Sequence, residues 1–162
     1  MKKKNKQREV KRLLIFSTDF GFVIHASNAR PFFPTHTHGL AEMGMPEFIF
    51  DPLAFGAKGN ANRIIKVYKY LSKPENASQL DDIKHGMTVR LTPKELIPDY
   101  TGTDKDNADN IFYVRKVSPD FEGVKLAYFP EDITPGMWFI QISVEGDDYV
   151  LTDEYYRGGI KW

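Results

Sequence analysis

The sequence has no cysteine. That absence removes disulfides, thiolate metal ligands and cysteine nucleophiles together, and it fits a chain that works in a reducing cytosol. Long apolar runs are missing as well. The longest, around Leu13 to Phe16 and Trp138 to Val144, break off well short of the roughly 18 to 20 residues that span a bilayer. A soluble, cytoplasmic protein without membrane contact is therefore expected. The start, Met1-Lys2-Lys3-Lys4-Asn5-Lys6, has the charge of a signal-peptide n-region, but Leu13-Leu14-Ile15-Phe16 is short for its apolar stretch and no small-residue cleavage site follows. Secretion is not expected. Gly39 and Gly44 lack the following Lys-Ser/Thr pair of a phosphate-cradling loop, and none of Ser17, Ser27, Ser72, Ser78, Ser118 and Ser143 sits in a Gly-x-Ser-x-Gly elbow.

What is present suffices for one domain: 162 residues, 41% hydrophobic and 14% aromatic, can close a core of their own. The formal net charge of zero conceals an asymmetry. Residues 1–12 carry seven Lys or Arg against one Glu, a balance of +6, whereas residues 99–162 carry thirteen acids against six bases, a balance of −7. The basic arm over 1–12 has the charge to contact phosphates in a salt-dependent way. A frayed, solvated terminus is the commoner meaning, and the acidic half would repel a phosphate backbone. Nucleic acid is not the favoured partner.

The periodicity predicts a helix over 6–19, with Val10, Leu13, Leu14 and Ser17 on one face and Gly21 ending it. Strands are expected over 22–25, 32–40 and 47–50, the last two antiparallel, with a turn over 28–31. A helix over 60–72 is capped by Asn60, with Ile64, Ile65, Tyr68 and Leu71 as its apolar stripe. Met87, Val89 and Leu91 alternate with Thr88, Arg90 and Thr92 as a strand does, and Thr92-Pro93-Lys94-Glu95 has the layout of a capping box. A surface loop over 99–110 follows. Strands over 111–117 and 124–128 then flank Ser118-Pro119-Asp120-Phe121-Glu122-Gly123, with a helix over 109–117 as the alternative. In 138–144, Trp138, Ile140, Ile142 and Val144 face the core and Gln141 and Ser143 face away. The fold class is α+β: a single domain, 6–162, built on a largely antiparallel sheet of six or seven strands with two main helices.

The chain has four histidines, and two of them form a His-x-His pair, His36 and His38. On a strand both imidazoles project from one face with Cα atoms about 7 Å apart, which allows them to share one metal ion at about 2.0 to 2.1 Å per bond. A third ligand is needed, and by residue type His25, Glu42, Glu47, Asp51 and His85 qualify, His25 through a neighbouring strand in matched register. Glu42 and Glu47 are the candidates for moving a proton. The alternative is that the pair is simply hydrogen-bonded or solvated on a polar face. Asp51, Asp81 and Asp82 are better explained as solvated or capping acids than as an acid/base pair. Tyr149, Tyr155, Tyr156 and Trp162, beside the acidic Glu145-Gly146-Asp147-Asp148 turn, could form an edge for a protein partner.

Thr37-His38-Gly39-Leu40 followed by Gly44-Met45-Pro46-Glu47-Phe48 resembles the Tyr-Thr-x-Gly-Leu and Gly-His-Pro-Glu-Leu core of the bacterial domain-of-unknown-function family 4262. His36 stands where that family tends to have Tyr, and Met45 where it tends to have His. The resemblance implies an α+β fold and a bacterial or phage setting, and no reaction. Three functional expectations follow, of which the first, a protein that is not an enzyme, leads, the second is the alternative and the third the weaker alternative. The first is a binding or accessory protein for an unknown protein or small molecule, without an organic cofactor. The second is a metal-dependent hydrolase in which His36, His38 and His25 hold a divalent ion. The third is a nucleic-acid-associated protein using the basic arm.

Overall fold

The computed structural model describes residues 13–29, 32–50 and 54–145. The basic arm over 1–12, Asp51 and the segment 146–162 with Tyr149, Tyr155, Tyr156 and Trp162 lie outside the described residues. Seven strands among those described form one sheet: β1 (Leu13–Ser17), β2 (Val23–Ser27), β3 (Thr35–His38), β4 (Glu47–Phe50), β5 (Val89–Leu91), β6 (Phe112–Val117) and β7 (Phe139–Val144). Their order is β1-β2-β3-β4-β7-β6-β5. Every neighbouring pair is antiparallel except β4 and β7, which run parallel with Glu47 opposite Phe139 and Phe50 opposite Ile142. Four α-helices complete the described part: α1 (Gly56–Leu71), α2 (Ala77–Lys84), α3 (Pro93–Leu96) and α4 (Glu122–Ala127). The domain is α+β, as expected.

The sheet has two unlike faces. On one, Ile24, Phe48, Phe50, Phe112, Val114, Ile140 and Ile142 meet Ala61, Ile64, Val67 and Leu71 of α1, Ile83 of α2 and Leu96 of α3. Fully burying a large apolar side chain contributes about 1.5 to 3 kcal/mol, so this layer supplies most of the driving force. On the other face α4 brings Phe121, Val124 and the following Tyr128 against Ile49, Val117 and Phe139. That cover is short. The register places Ile15, His25, His36, Ile49, Gln141 and Arg115 in one row across this second face, each opposite the next.

The expected helix over 6–19 is overturned in its described part. Leu13–Ser17 is a strand whose exposure alternates, and it pairs with β2 from Leu13 opposite Ser27 to Ser17 opposite Val23. Leu14-Ile15-Phe16 satisfies a two-residue period as well as a helical one, and a long-range partner decides between them. Thr18 Oγ1 donates to the carbonyl of Phe22 and accepts the N–H of Phe20, closing a hairpin turn in which Gly21 takes φ +90°. The glycine thus turns a hairpin and does not end a helix.

The expected strand over 124–128 is helical instead. Phe121, Val124 and Tyr128 recur at helical spacing and bury together on the second face, which a strand could not achieve with the same residues. The helix over 109–117 is also absent, replaced by β6 after a 3₁₀ segment. Helix α1 begins at Gly56, so Asn60 lies inside it, where its Oδ1 accepts the N–H of Phe55 and its Nδ2 donates to Thr35 Oγ1. Met87 is 56% exposed because β5 begins only at Val89. Gln141 is fully buried, since the second face is covered at β7 and its amide accepts a bond from Arg115 Nε. The capping box at α3 is present in full: Thr92 and Glu95 bond reciprocally.

Candidate metal centre

Pairing of β2 with β3 sets His25 opposite His36 and Val23 opposite His38. Residues opposite one another share a face, and so do residues two apart, so all three imidazoles rise from the second face. One nitrogen from each ring lies within 4.8 Å of the others. Ring centroids stand 5.4 Å apart for His25 and His36, 4.2 Å for His25 and His38 and 4.8 Å for His36 and His38.

Local hydrogen bonds fix the tautomer of the central ring. His36 Nδ1 is 2.7 Å from the carbonyl of Pro34, which can only accept, so Nδ1 carries the proton and Nε2 presents a lone pair. His38 Nε2 lies 3.0 Å from that lone pair and donates to it. A backbone carbonyl that orients one nitrogen while the other faces two more imidazoles is the arrangement that metal-bound histidines use. A cation at this point would take the place of the proton between the two Nε2 atoms, with His38 then carrying its one proton on Nδ1.

The electrostatics agree with the ligand form of all three rings. Burial lowers His36 to about 3; its bond to Pro34 opposes that shift, while His38 and His25 add to it. Burial, then His38, lowers His25 to about 4. His38 is lowered by burial, with Asp132 acting against the shift. Neutral imidazoles at neutral pH are the species that bind transition metals.

The walls are aromatic and well tied. Tyr128 sets its ring edge against His36 at 4.9 Å and His38 at 5.1 Å, and its hydroxyl donates to the carbonyl of Thr37 at 2.7 Å. Burial and the nearby Glu47 hold that phenol protonated, well above its ordinary range. Phe33 closes the His36 side at 5.5 Å. The three histidines open into a pocket of about 300 Å³ that is otherwise apolar, apart from Asp132. A larger cleft of about 740 Å³ adjoins it, and His38 and Asp132 line both.

His25, the candidate third ligand foreseen through a neighbouring strand, is therefore brought to the pair, and Glu42 and Glu47 are not. Glu47 is buried and turned inward: Oε1 accepts from Thr37 Oγ1 at 2.8 Å and the Leu40 N–H at 3.3 Å, and Oε2 accepts from the Ala41 N–H at 3.1 Å. Thr37 Oγ1 in turn accepts the Phe48 N–H, where the β3–β4 ladder has stopped after His36 and Ile49. Glu47 is thus a brace for the turn that follows the His-x-His pair. Within that turn Gly39 has φ +107°, and a Cβ there would lie 3.3 Å from Gly21 O and Phe22 Cα. Glu42 is exposed on the wall of the larger cleft, and His85 is exposed at the end of α2, outside the histidine cluster. Asp132 was not foreseen, because a Pro130–Asp132 turn a hundred residues downstream has no spacing relation to His36 or His38.

No protein-family model matches this chain, and neither a curated protein nor a solved structure matches it. A fold alone would not assign a reaction in any case, so function is read from the site.

Proposed function

We propose that this domain is a metal-dependent hydrolase whose His25, His36 and His38 hold one divalent transition-metal ion, with zinc the best match to three neutral nitrogen donors. The observation that carries the reading is the convergence of three imidazole nitrogens within 4.8 Å, one of them aimed by its Nδ1 bond to Pro34. Three protein ligands with a fourth side facing a pocket is the pattern of a catalytic site, while structural zinc sites are closed by four. A zinc ion so held supplies Lewis acidity and a bound water acidified to a pKa of about 7. The chain supplies the rest. Asp132 lies on the pocket wall beside His38, and it takes the proton-handling role; Glu47 is engaged by the β3–β4 turn. Tyr128 and Phe33 hold the rings and exclude water from their flanks.

A second reading, a binding or accessory domain, is favoured by one specific feature. Leu13, Ile15, Leu126 and Phe129, the last 71% exposed, are large apolar residues at the surface on the histidine side of the sheet or on the segment that covers it. The Thr37-to-Leu40 and Gly44-to-Phe48 segments, on which the resemblance to domain-of-unknown-function family 4262 rests, form part of the cleft wall in either reading. Cytoplasmic placement belongs to this proposal too, supported by the lack of cysteine. Among the described residues, no helix is long and apolar enough to cross a membrane.

The test is zinc calorimetry and elemental analysis on the full chain, alongside the His36→Ala/His38→Ala double variant checked for folding by circular dichroism. One equivalent of zinc in the native chain and none in the folded double variant is expected. Zinc retained by that variant, or none bound by the native chain, overturns the metal centre.

A further inference from the structure

The larger cleft extends across the ends of three adjacent strands. His38 ends β3, Glu47 begins β4, and Trp138 leads into β7, with the Glu47 N–H donating to the Trp138 carbonyl at 3.0 Å. Two strand spacings separate the β3 and β7 ends of this row, about 10 Å. The two ends differ chemically. At the β3 end stand His38 and Asp132; at the β7 end Lys84, the last residue of α2, sets its ammonium 5.7 Å from the Trp138 ring centroid. Half-buried Met45 and Met137 provide apolar wall. The cleft also has Glu42 on its wall, an exposed carboxylate of the β3–β4 turn.

Lys84 is exposed and has no ion-pair partner among the described residues. An ammonium held over an indole presents positive charge beside a flat apolar surface, a combination that suits an organic anion with an apolar body. We propose that the cleft binds an elongated carboxylate-bearing ligand, its carboxylate at Lys84 and Trp138 and its far end at His38 and Asp132, about 10 Å away. For the reactive end this rests on the metal-centre reading above; for the anchoring end it does not. The substrate class that follows is a short acyl or aryl compound with a terminal carboxylate and a hydrolysable bond at the opposite end.

Binding can be read without activity. The chain has two tryptophans, so a Trp162→Phe background leaves Trp138 as the sole indole reporter. Metal-free full-length protein in that background is titrated with 4-phenylbutyrate and with its neutral amide, 4-phenylbutanamide, while zinc binding is measured separately. Saturable quenching of Trp138 by the acid is expected, with affinity at least about tenfold better than for the amide. The same preference should vanish in Lys84→Gln, an exposed position where folding is easily preserved. Equal binding of acid and amide, no binding of the acid, or an unchanged preference in Lys84→Gln overturns the anchoring role. Zinc uptake without acid binding overturns this inference and leaves the metal centre standing. Acid binding without zinc uptake overturns the metal centre and leaves the anchor.

Discussion

The two faces of one sheet do different work in this protein. The face under α1, α2 and α3 is sealed by a continuous apolar layer, with Ile24, Phe48, Phe50, Phe112 and Ile140 all fully buried. Among the described residues the other face is covered by α4 and the turn after it, with Tyr128 against His36 and His38, and it carries His25, His36 and His38 together with exposed Leu13 and Ile15. The backbone that gives the first face its stability is the same backbone that holds the second face's imidazoles in register. A site can then be left partly open without costing the fold its core.

This division can be broken by substitution. Phe50→Ala should cost about 3 to 5 kcal/mol of stability, measured by urea denaturation, whereas His25→Ala should leave the metal-free protein within about 1 kcal/mol of the native chain. A destabilisation by His25→Ala as large as that by Phe50→Ala would erase the contrast between faces. The largest effect on the open face should appear in ligand binding: His36→Ala should weaken zinc binding by on the order of 100-fold or more, about 2.7 kcal/mol, in calorimetry. Phe50→Ala, studied under conditions where it is folded, should keep its zinc affinity.

Glu47 lies between these extremes, since it serves the site by bracing a turn. Glu47→Ala removes the acceptor of the Thr37 hydroxyl and of the N–H groups of Leu40 and Ala41, and a loss of about 1 to 3 kcal/mol is expected in thermal or urea unfolding. If stability is unchanged while zinc affinity collapses, Glu47 is a ligand and not a brace. The smallest expected effect is acidic. Arg90 and then Tyr113 hold the Glu145 carboxyl down to about 2, below its ordinary 4.5. A depressed folded-state value means that the pair's stabilisation is complete above about 4.5 and fades as pH falls towards 2. Glu145→Gln should therefore slightly lower the urea midpoint at pH 6 and make a smaller difference at pH 2; a larger gap at pH 2 would reverse the sign. Because these side chains are at the surface, screening keeps the effect small.

The sequence made the histidine cluster legible for a simple reason: residues two apart on a strand share a face, and His25 sits in the next apolar strand. The strands ending at Leu91 and Val144, the helix ending at Leu71 and the α3 capping box were legible from local pattern and cap chemistry alone. Other features depend on partners far along the chain. Leu13-Leu14-Ile15-Phe16 fits two periods, and only pairing with Val23–Ser27 selects the strand. The helical spacing of Phe121, Val124 and Tyr128 was present, but the Ser118-Pro119-Asp120 turn signal beside it pointed to a hairpin. Nothing local marks β7 as the parallel neighbour of β4, and without that pairing neither the burial of Gln141 nor the cleft between His38 and Trp138 can be inferred. Asp132 enters the site on the Pro130–Asp132 turn that follows α4, and sequence pattern assigned the α4 segment as a strand.

The most direct measurement is X-ray absorption at the zinc edge on zinc-loaded, desalted full-length protein. Three imidazole nitrogens at about 2.0 to 2.1 Å with one oxygen scatterer, the imidazole count reduced in the His25→Ala variant, is the result predicted. A shell of oxygens with no imidazole scattering, or zinc lost on desalting, would contradict a metal centre built from His25, His36 and His38.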